Sequence, residues 1–449
     1  MRVLVCGVNG CVGSATARAL RARGHEVIAG GRAELDGPRA MRIDFAVPLA
    51  PAIWAARLRK HGVEVIVNAV GILIPQAGQS FDRVHARGPI ELFEGAAAAG
   101  VKCIVQVSAL GVGDDAVSRV VPYLESKRCA DAALAELPIG WAVLRPSLVY
   151  GPGSQNARLF ATLASLPIIG LPGWGGQQVA PVHVFELAEA IARLIERAEP
   201  PNAVLEVGGP HALSYRDMLA AYRAASPRNE AIWLPLPLPL MRLGAWLAEA
   251  LPQRVFSRDT LRLLERGSVP RRNALPTLLG RAPTALAQGL SVSPPEPLFD
   301  LSVNLSAPMA TALRASLAAM WLYTALISAL LPERSGVLNL LAHCGFEGRA
   351  GVAALVASCL INTTLGALTL WRPRPLLYAL QAGAVVGYTA AAVAMPELTV
   401  DHCGPLVKNL PVLMVVLALW LACPQQPTSP RALAAGQRRH ANQPMMTLR

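Results

Sequence analysis

Tyr123 and Lys127 stand four residues apart, directly behind Pro122. Proline suits the first turn of a helix, and residues four apart on a helix share a face. An ammonium beside a phenol stabilises the phenolate and lowers its pKa from about 10. Such a phenol exchanges a proton with a carbonyl or a carbinol near neutral pH. The chain has seven tyrosines and only four lysines, Lys60, Lys102, Lys127 and Lys408, so this spacing is rarely met by chance. Ser108 ends the apolar run from Lys102 to Val107 and is placed to hydrogen-bond the same substrate oxygen.

Proton exchange at a carbonyl carbon needs a hydride partner. Val3 to Cys6 reads as a strand buried on both faces, followed by Gly7, Gly10 and Gly13 and then by a helical run from Ala15 to Arg23. Strand, glycine turn and helix form a dinucleotide-binding unit. The first glycine permits the turn, the second admits the pyrophosphate, and the third lets the helix pack on the strand. Asn9, Cys11 and Val12 lie between them and complete the expected cradle. The second strand, His25 to Ala29, ends in Gly30, Gly31 and Arg32, with no acidic residue for ribose hydroxyls. Arg32 is placed to pair with a 2′-phosphate, so NADPH is expected in preference to NADH. Asp44 is a candidate for the adenine edge, or a surface residue. The small residues of Asn68-Ala69-Val70-Gly71, after a third strand, let the backbone pass close to the cofactor. Alternating strands and helices imply a doubly wound parallel sheet, with ligands at its carboxyl edge, where Ser108 and Pro146 fall.

These residues resemble those of the short-chain dehydrogenase/reductase superfamily. The resemblance rests on the glycines, Ser108 and Tyr123-Leu124-Glu125-Ser126-Lys127. It extends to Leu144-Arg145-Pro146-Ser147-Leu148-Val149-Tyr150-Gly151-Pro152-Gly153 and to Val204-Leu205-Glu206-Val207-Gly208-Gly209-Pro210, and covers residues 1 to 290. It implies that Tyr123 is the acid/base, that Lys127 also holds the nicotinamide ribose, and that Ser108 positions the substrate. His85 stands where relatives often carry an asparagine that holds a proton-relay water, so His85 is either a relay residue or an ordinary helix side chain. His85 and the short Ser108–Tyr123 segment are similar to the subgroup containing the NADPH-binding accessory subunit of mitochondrial complex I. Some of that subgroup bind nucleotide without demonstrated turnover.

Charged residues are 16% and hydrophobic residues 53% of the 449 residues, which excludes disorder and a coiled coil. The 41 basic and 29 acidic residues give +12, but no zinc-finger spacing or basic recognition helix points to nucleic acid. The eight cysteines form no Cys-x-x-Cys pair, and no metal site is expected. The start, Met1-Arg2 into Val3 to Cys6, is too short for a signal peptide's apolar region, so the N-terminal domain is expected in the cytoplasm.

Beyond the first 300 residues the composition changes. Ala315 to Leu331, Ala350 to Trp371 and Pro375 to Met395 are uncharged runs long enough to match the hydrocarbon thickness of a bilayer, and Asn409 to Cys423 is a shorter one, extendable upstream through Lys408. Arg372 and Arg374 follow the second run, and Arg431, Arg438, Arg439 and Arg449 follow the fourth. Glu397 and Asp401 follow the third, so loop charge puts both termini inside a bacterial inner membrane. Together with His402-Cys403-Gly404-Pro405-Leu406-Val407-Lys408-Asn409-Leu410-Pro411, this part resembles the DoxX-like family of four-helix membrane proteins, some of which serve quinone-linked oxidoreductases. Lys408 is a functional candidate or a snorkelling anchor. Cys344 and Cys403 both fall in loops expected outside, and the sequence leaves open whether they pair or stay free thiols.

From Arg223 to Arg281 ten arginines face four acids, interleaved with Ile232-Trp233-Leu234-Pro235-Leu236-Pro237-Leu238-Pro239-Leu240 and with Trp246. The alternating prolines exclude a regular helix there. Basic and apolar residues together suit the lipids of an anionic membrane surface, against the alternative of an ordinary substrate subdomain with its own small core.

The expected architecture is therefore a Rossmann-like α/β domain, residues 1–290, with a small substrate-side subdomain from about 150 that includes 204–290. A linker at 291–308, an all-α four-helix transmembrane domain at 309–423 and a disordered basic tail at 424–449 come after it. The expected function is a membrane-anchored NAD(P)H-dependent oxidoreductase acting on an apolar, quinone- or isoprenoid-like carbonyl or carbinol. The alternatives are an NADPH-binding subunit of a membrane complex with little catalysis, and a sugar-nucleotide epimerase or dehydratase.

Overall fold

Alternate residues of a strand point to opposite faces of its sheet, and the first strand buries both. In a computed structural model of the chain, Val3 and Val5 enter one hydrophobic core with Leu20, Val105, Leu144, Leu187 and Ile191. Leu4 and Cys6 enter a second core with Ile28, Trp54, Leu58, Ile66, Phe93 and Ile104. A strand apolar at every position thus serves two cores, each Val or Leu contributing about 1.5–3 kcal/mol of burial. The structure describes residues 1–32, 39–73, 75, 78–113, 120–226, 231–248, 257–297, 305–331, 337–343, 345–393 and 405–422.

Contacts divide the chain into two units near residue 300. In the first, seven parallel strands form one sheet: β1 (Arg2–Cys6), β2 (Glu26–Gly31), β3 (Ala40–Arg42), β4 (Val65–Asn68), β5 (Cys103–Val107), β6 (Gly140–Pro146) and β11 (Ala203–Val207). Their order is β11-β6-β5-β4-β1-β2-β3, so the direction of winding reverses between β1 and β4. That reversal opens a crevice at the carboxyl ends of these two strands. Helices α1 (Cys11–Ala22), α2 (Pro51–His61), α3 (Gly88–Ala99) and α4 (Pro122–Glu136) make the connections. A π-helical turn, Asp82–Arg87, runs into α3. The expected doubly wound parallel sheet is what the chain forms.

After β6 the chain builds three two-stranded pairings: β7 (Val149–Tyr150) with β10 (Val182–His183), β9 (Gln178–Val179) with β12 (Leu213–Ser214), and β8 (Ile168–Pro172) with β13 (Ile232–Leu236). Helices α5 (Gln155–Ser165), α6 (Val184–Ile195), α7 (Tyr215–Ala224), α8 (Leu238–Ala248) and α9 (Arg258–Arg266) surround them. The proline run forms β13 and then, unlike the expectation, enters a helix at Leu238. Pro239 falls in the first turn of α8, where its missing N–H costs nothing.

The second unit is helical: α10 (Ala307–Leu330), α11 (Gly348–Trp371), α12 (Pro375–Val393) and α13 (Pro405–Leu421). Helices α10 and α11 are 24 residues each, with mean hydropathy 1.4 and 1.7, long and apolar enough to cross a membrane. Helix α10 begins well before the expected Ala315, because Pro308 suits its first turn and Arg314 bonds back to the Ala310 carbonyl at 3.1 Å. A charge that ends an uncharged run does not end the helix. On α11, a Cβ at Gly366 would lie 2.8 Å from Leu322 and 3.1 Å from the Ala318 carbonyl, so glycine lets the two helices approach. The Gln381 amide donates to Thr369 and the Asn409 amide to Thr389, both at 2.6 Å. Cys344, Cys403, Glu397, Asp401, the side chain of Lys408 and the tail from 424 lie outside the described residues.

Candidate active site

The glycine turn is a matter of space. Gly7 has φ +79°, which side chains disfavour, and a Cβ there would lie 3.1 Å from the Ala69 carbonyl. A Cβ on Gly13 would overlap the Gly7 carbonyl. Gly10 precedes the first turn of α1, so the helix opens with free amides toward the loop. This cradle fits a pyrophosphate and leaves no room for side chains at Gly7 and Gly13. A cavity of about 430 Å³ adjoins it, lined by Val8, Ser14, Ala17, Arg18, Arg21, Pro152 and Gly153. The Cys11 thiol donates to the Pro152 carbonyl at 3.3 Å. Burial pushes that thiol up to about 11 against the opposing charge of Arg18. Asn9 and Val12 belong to the same turn.

On the other wall, the Asn68 amide donates to Gln106 at 2.8 Å, and its oxygen accepts from the Val70 N–H at 3.3 Å. Asn68 is thus buried and shapes the bend that carries Ala69, Val70 and Gly71 past the glycine turn. Arg32 is exposed at the end of β2. Asp44 accepts from the Ala46 N–H at 3.1 Å, and Pro146 closes β6 in the interior.

Tyr123, Lys127 and Asp131 succeed one another at four-residue steps along α4 and form one stripe. Lys127 is buried and donates to the Val107 carbonyl at 3.1 Å, with its ammonium 5.9 Å from the centre of the Tyr123 ring. Burial lowers Lys127 to about 8, and the charge of Asp131 opposes this. The expected lowering of the phenol does not occur: burial, reinforced by the negative charge of Asp131, pushes Tyr123 above its ordinary value. Lys127 is turned toward a carbonyl, and half-buried Tyr123 stays protonated at neutral pH.

Ser108 departs from its expected role. Its hydroxyl donates to Asp131 Oδ2 at 2.8 Å, not outward to a ligand. Arg145 Nη2 meets the same oxygen at 3.0 Å, while Asp131 Oδ1 is buried and unpartnered among the described residues. Burial raises the Asp131 carboxyl, against the bond from Ser108 and the charge of Arg145. Neither Asp131 nor Arg145 stands out in the sequence as a site residue. The signals that mark them are a further four-residue step after Lys127 and an arginine ending a buried strand, which needs an acid.

For His85 the geometry fits the second of its two readings, an ordinary helix side chain. The Ile72 N–H donates to its Nε2 at 2.9 Å, which places the ring proton on Nδ1, 3.1 Å from the Ser126 hydroxyl. Ser126 in turn donates to the Tyr123 carbonyl at 2.9 Å. Burial, with Lys127 nearby, lowers His85 to about 2. With both nitrogens engaged, His85 is a neutral strut between the loop after β4 and α4, not a holder of a relay water. Phe81 stacks on it, ring centres 5.5 Å apart, and meets Tyr123 edge-on at 5.9 Å. The π-helical turn aims His85 inward.

The NAD-dependent epimerase/dehydratase family matches residues 3–208, and the DoxX-like family matches residues 318–417. A ceramide reductase of Caulobacter vibrioides is 29% identical over 146 residues, which are 32% of this chain and 43% of that protein. A 3-diazoavenalumate denitrifying reductase of a Streptomyces species is 30% identical over 223 residues, 44% of this chain and 72% of that protein. The UDP-glucose 4-epimerase of Thermus thermophilus, solved with NAD, is 21% identical with a TM-score of 0.48, over 65% of this chain and 97% of that one. A human epimerase family protein solved with NADPH is 22% identical with a TM-score of 0.48, over 65% and 99%. The chain is an NAD(P)-dependent enzyme of the NAD-dependent epimerase/dehydratase family, carrying a membrane-associated DoxX-like region behind its dinucleotide-binding domain.

Proposed function

We propose that this enzyme is a membrane-anchored reductase that uses NADPH to reduce the carbonyl of a lipophilic substrate. One observation carries the reading. A Cβ at Gly71 would lie 3.7 Å from Lys127 Nζ and 3.7 Å from His85 Nε2, so the wall that flanks the glycine turn also touches the acid/base stripe. The amides after Gly10 and the backbone of Ala69 to Gly71 would hold the dinucleotide, which would supply a hydride when bound. Tyr123, protonated at neutral pH, gives its hydroxyl proton to the oxygen of the substrate as the carbonyl becomes a carbinol. Lys127, held on the Val107 carbonyl with its ammonium 5.9 Å from the centre of the ring, supplies a positive charge near the phenolate so formed. The raised pKa keeps Tyr123 protonated at neutral pH, so the proton-bearing form is the one present when a carbonyl binds. Arg32, with no acidic residue beside it on β2, supports NADPH over NADH.

A lipid substrate is supported by the DoxX-like region and by a relative that is a ceramide reductase. Four apolar helices with arginines after the second and fourth support four spans, with both termini on the cytoplasmic side of a bacterial inner membrane. A quinone- or isoprenoid-like carbonyl fits the same chemistry, while the apolar later subdomain disfavours a sugar nucleotide. A second reading, a subunit that binds NADPH without turnover, is favoured by Ser108, whose proton goes to Asp131.

The test uses the full chain in liposomes that contain a long-chain lipid ketone. NADPH oxidation is expected to fall by about 10²-fold or more in Tyr123→Phe, with dinucleotide binding retained. Turnover unchanged in that variant removes the mechanism. Tight NADPH binding without turnover on any lipid carbonyl leaves the second reading.

A further inference from the structure

The bulkiest apolar side chains of α8 point outward. At 3.6 residues per turn Leu240, Leu243 and Trp246 fall within an arc of about 120°, and they are 55%, 52% and 56% exposed. The inward face is made by fully buried Ala245. A helix on a soluble surface is arranged the other way round. Exposed apolar residues stand also on the preceding strand β13, at Ile232 and Leu234, and on its partner β8, at Ile168. Arg242 flanks the arc and meets Glu265 of α9 at 2.9 Å. Between α8 and α9 lies a pocket of about 300 Å³ lined by Arg242, Arg258, Leu261, Arg262 and Glu265, and Arg262 meets Asp259 at 3.4 Å.

We infer that this face docks on the surface of an anionic phospholipid bilayer. Leu240, Leu243 and Trp246 enter the boundary between headgroups and acyl chains, and the guanidiniums of Arg242, Arg258 and Arg262 meet lipid phosphates. Tryptophan and leucine on one side, with basic residues beside them, are the chemistry of that boundary. The charge is complementary, since α8 and α9 carry Arg242, Arg258, Arg262 and Arg266 against Asp259 and Glu265. The bilayer is also always at hand. The last helix of the domain ends at Val292, and the first apolar helix begins at Ala307 in the same chain, which makes docking an intramolecular event. A second copy of this chain is a poorer occupant, because a two-fold contact on this face would set its arginines against themselves. The inference rests on the membrane association of the helical region and not on the role of Tyr123.

The test is hydrogen exchange of residues 238–248 in the full chain, in nanodiscs of phosphatidylglycerol with phosphatidylcholine, in discs of phosphatidylcholine alone, and in detergent. Exchange is expected to be about tenfold slower in the anionic discs, as one or two well-placed arginines would produce. High salt is expected to abolish the difference, and so is the double variant Leu243→Ser with Trp246→Ser. Both side chains are exposed, and retained dinucleotide binding shows that the domain stays folded. Equal exchange in all three settings overturns the inference, as does equal protection in the two kinds of disc. Protection that tracks protein concentration instead of lipid charge assigns the face to a second copy and also overturns it.

Discussion

Ser108 and Asp131 share a buried hydrogen bond of 2.8 Å, and the carboxyl oxygen that accepts it is the one that Arg145 holds at 3.0 Å. One oxygen thus joins the end of β5, the middle of α4 and the end of β6, one further step along the stripe of Tyr123 and Lys127. The acid/base stripe therefore has a charged floor, and its protonation depends on Asp131.

Removing that charge is expected to move the titration of Lys127. Asp131 counteracts the burial of Lys127, so Asp131→Asn lowers Lys127 further below about 8. The alkaline limb of kcat/KM against pH then shifts to lower pH. Arg145 is left with an unpaired buried charge, at a cost of about 3–5 kcal/mol in unfolding free energy. A pH profile recorded beside a denaturation curve checks both, and an unmoved alkaline limb separates Asp131 from Lys127.

His85 makes the fold sensitive to acid without entering the chemistry. Its pKa is lowered in the folded state to about 2 from 6.5, so below pH 6.5 the unfolded chain takes up a proton that the folded chain refuses. Stability falls as pH falls through that window, by roughly 1.4 kcal/mol at one unit below the unfolded value. Denaturation at about pH 7.5 and about pH 5.5 measures it, and His85→Gln is expected to remove this part of the difference. The same variant leaves the pH dependence of turnover without a new limb in the range where free histidine titrates.

Gly13→Ala is expected to abolish the cradle. The new Cβ overlaps the Gly7 carbonyl, and backbone cannot swing aside as a side chain can. An overpacking cost of about 1–3 kcal/mol and loss of NADPH binding are expected, readable by thermal melting and by the fluorescence of the bound dinucleotide. Full affinity in the alanine variant contradicts the close packing of α1 on the turn.

Arg32→Ala is expected to weaken NADPH by about tenfold, the loss of one charge-assisted contact, and to leave NADH unchanged. Parallel titrations with the two dinucleotides decide it. A variant that loses both equally assigns Arg32 to the fold of the β2 turn.

The sheet is legible in the sequence because its signals are local. Val3 to Cys6 and Val65 to Val67 are apolar at every position, and the glycines stand where the first strand must turn. The four apolar helices are legible for the same reason, although Arg314 hides the true start of α10. What stays hidden lies between elements. Ser108 and Asp131 are 23 residues apart, and only the pairing of β5 with β6 brings Ser108 and Arg145 around one carboxylate. The engagement of both His85 nitrogens depends on the backbone of Ile72 and on Ser126, 41 residues away, and no spacing in the chain announces it. The phenol pKa escapes the sequence because a four-residue step gives proximity to Lys127 and says nothing about the carbonyl that Lys127 faces instead.

The final strand of the central sheet, β11, ends at Val207, about one hundred residues before α10 begins at Ala307. At the usual pace of synthesis that interval lasts about 5–20 s, whereas mixed α/β domains close in milliseconds to seconds. The seven strands therefore have time to pair before the first hydrophobic segment is made, while the core they share with Leu275, Leu278 and Leu279 closes only after those residues have followed.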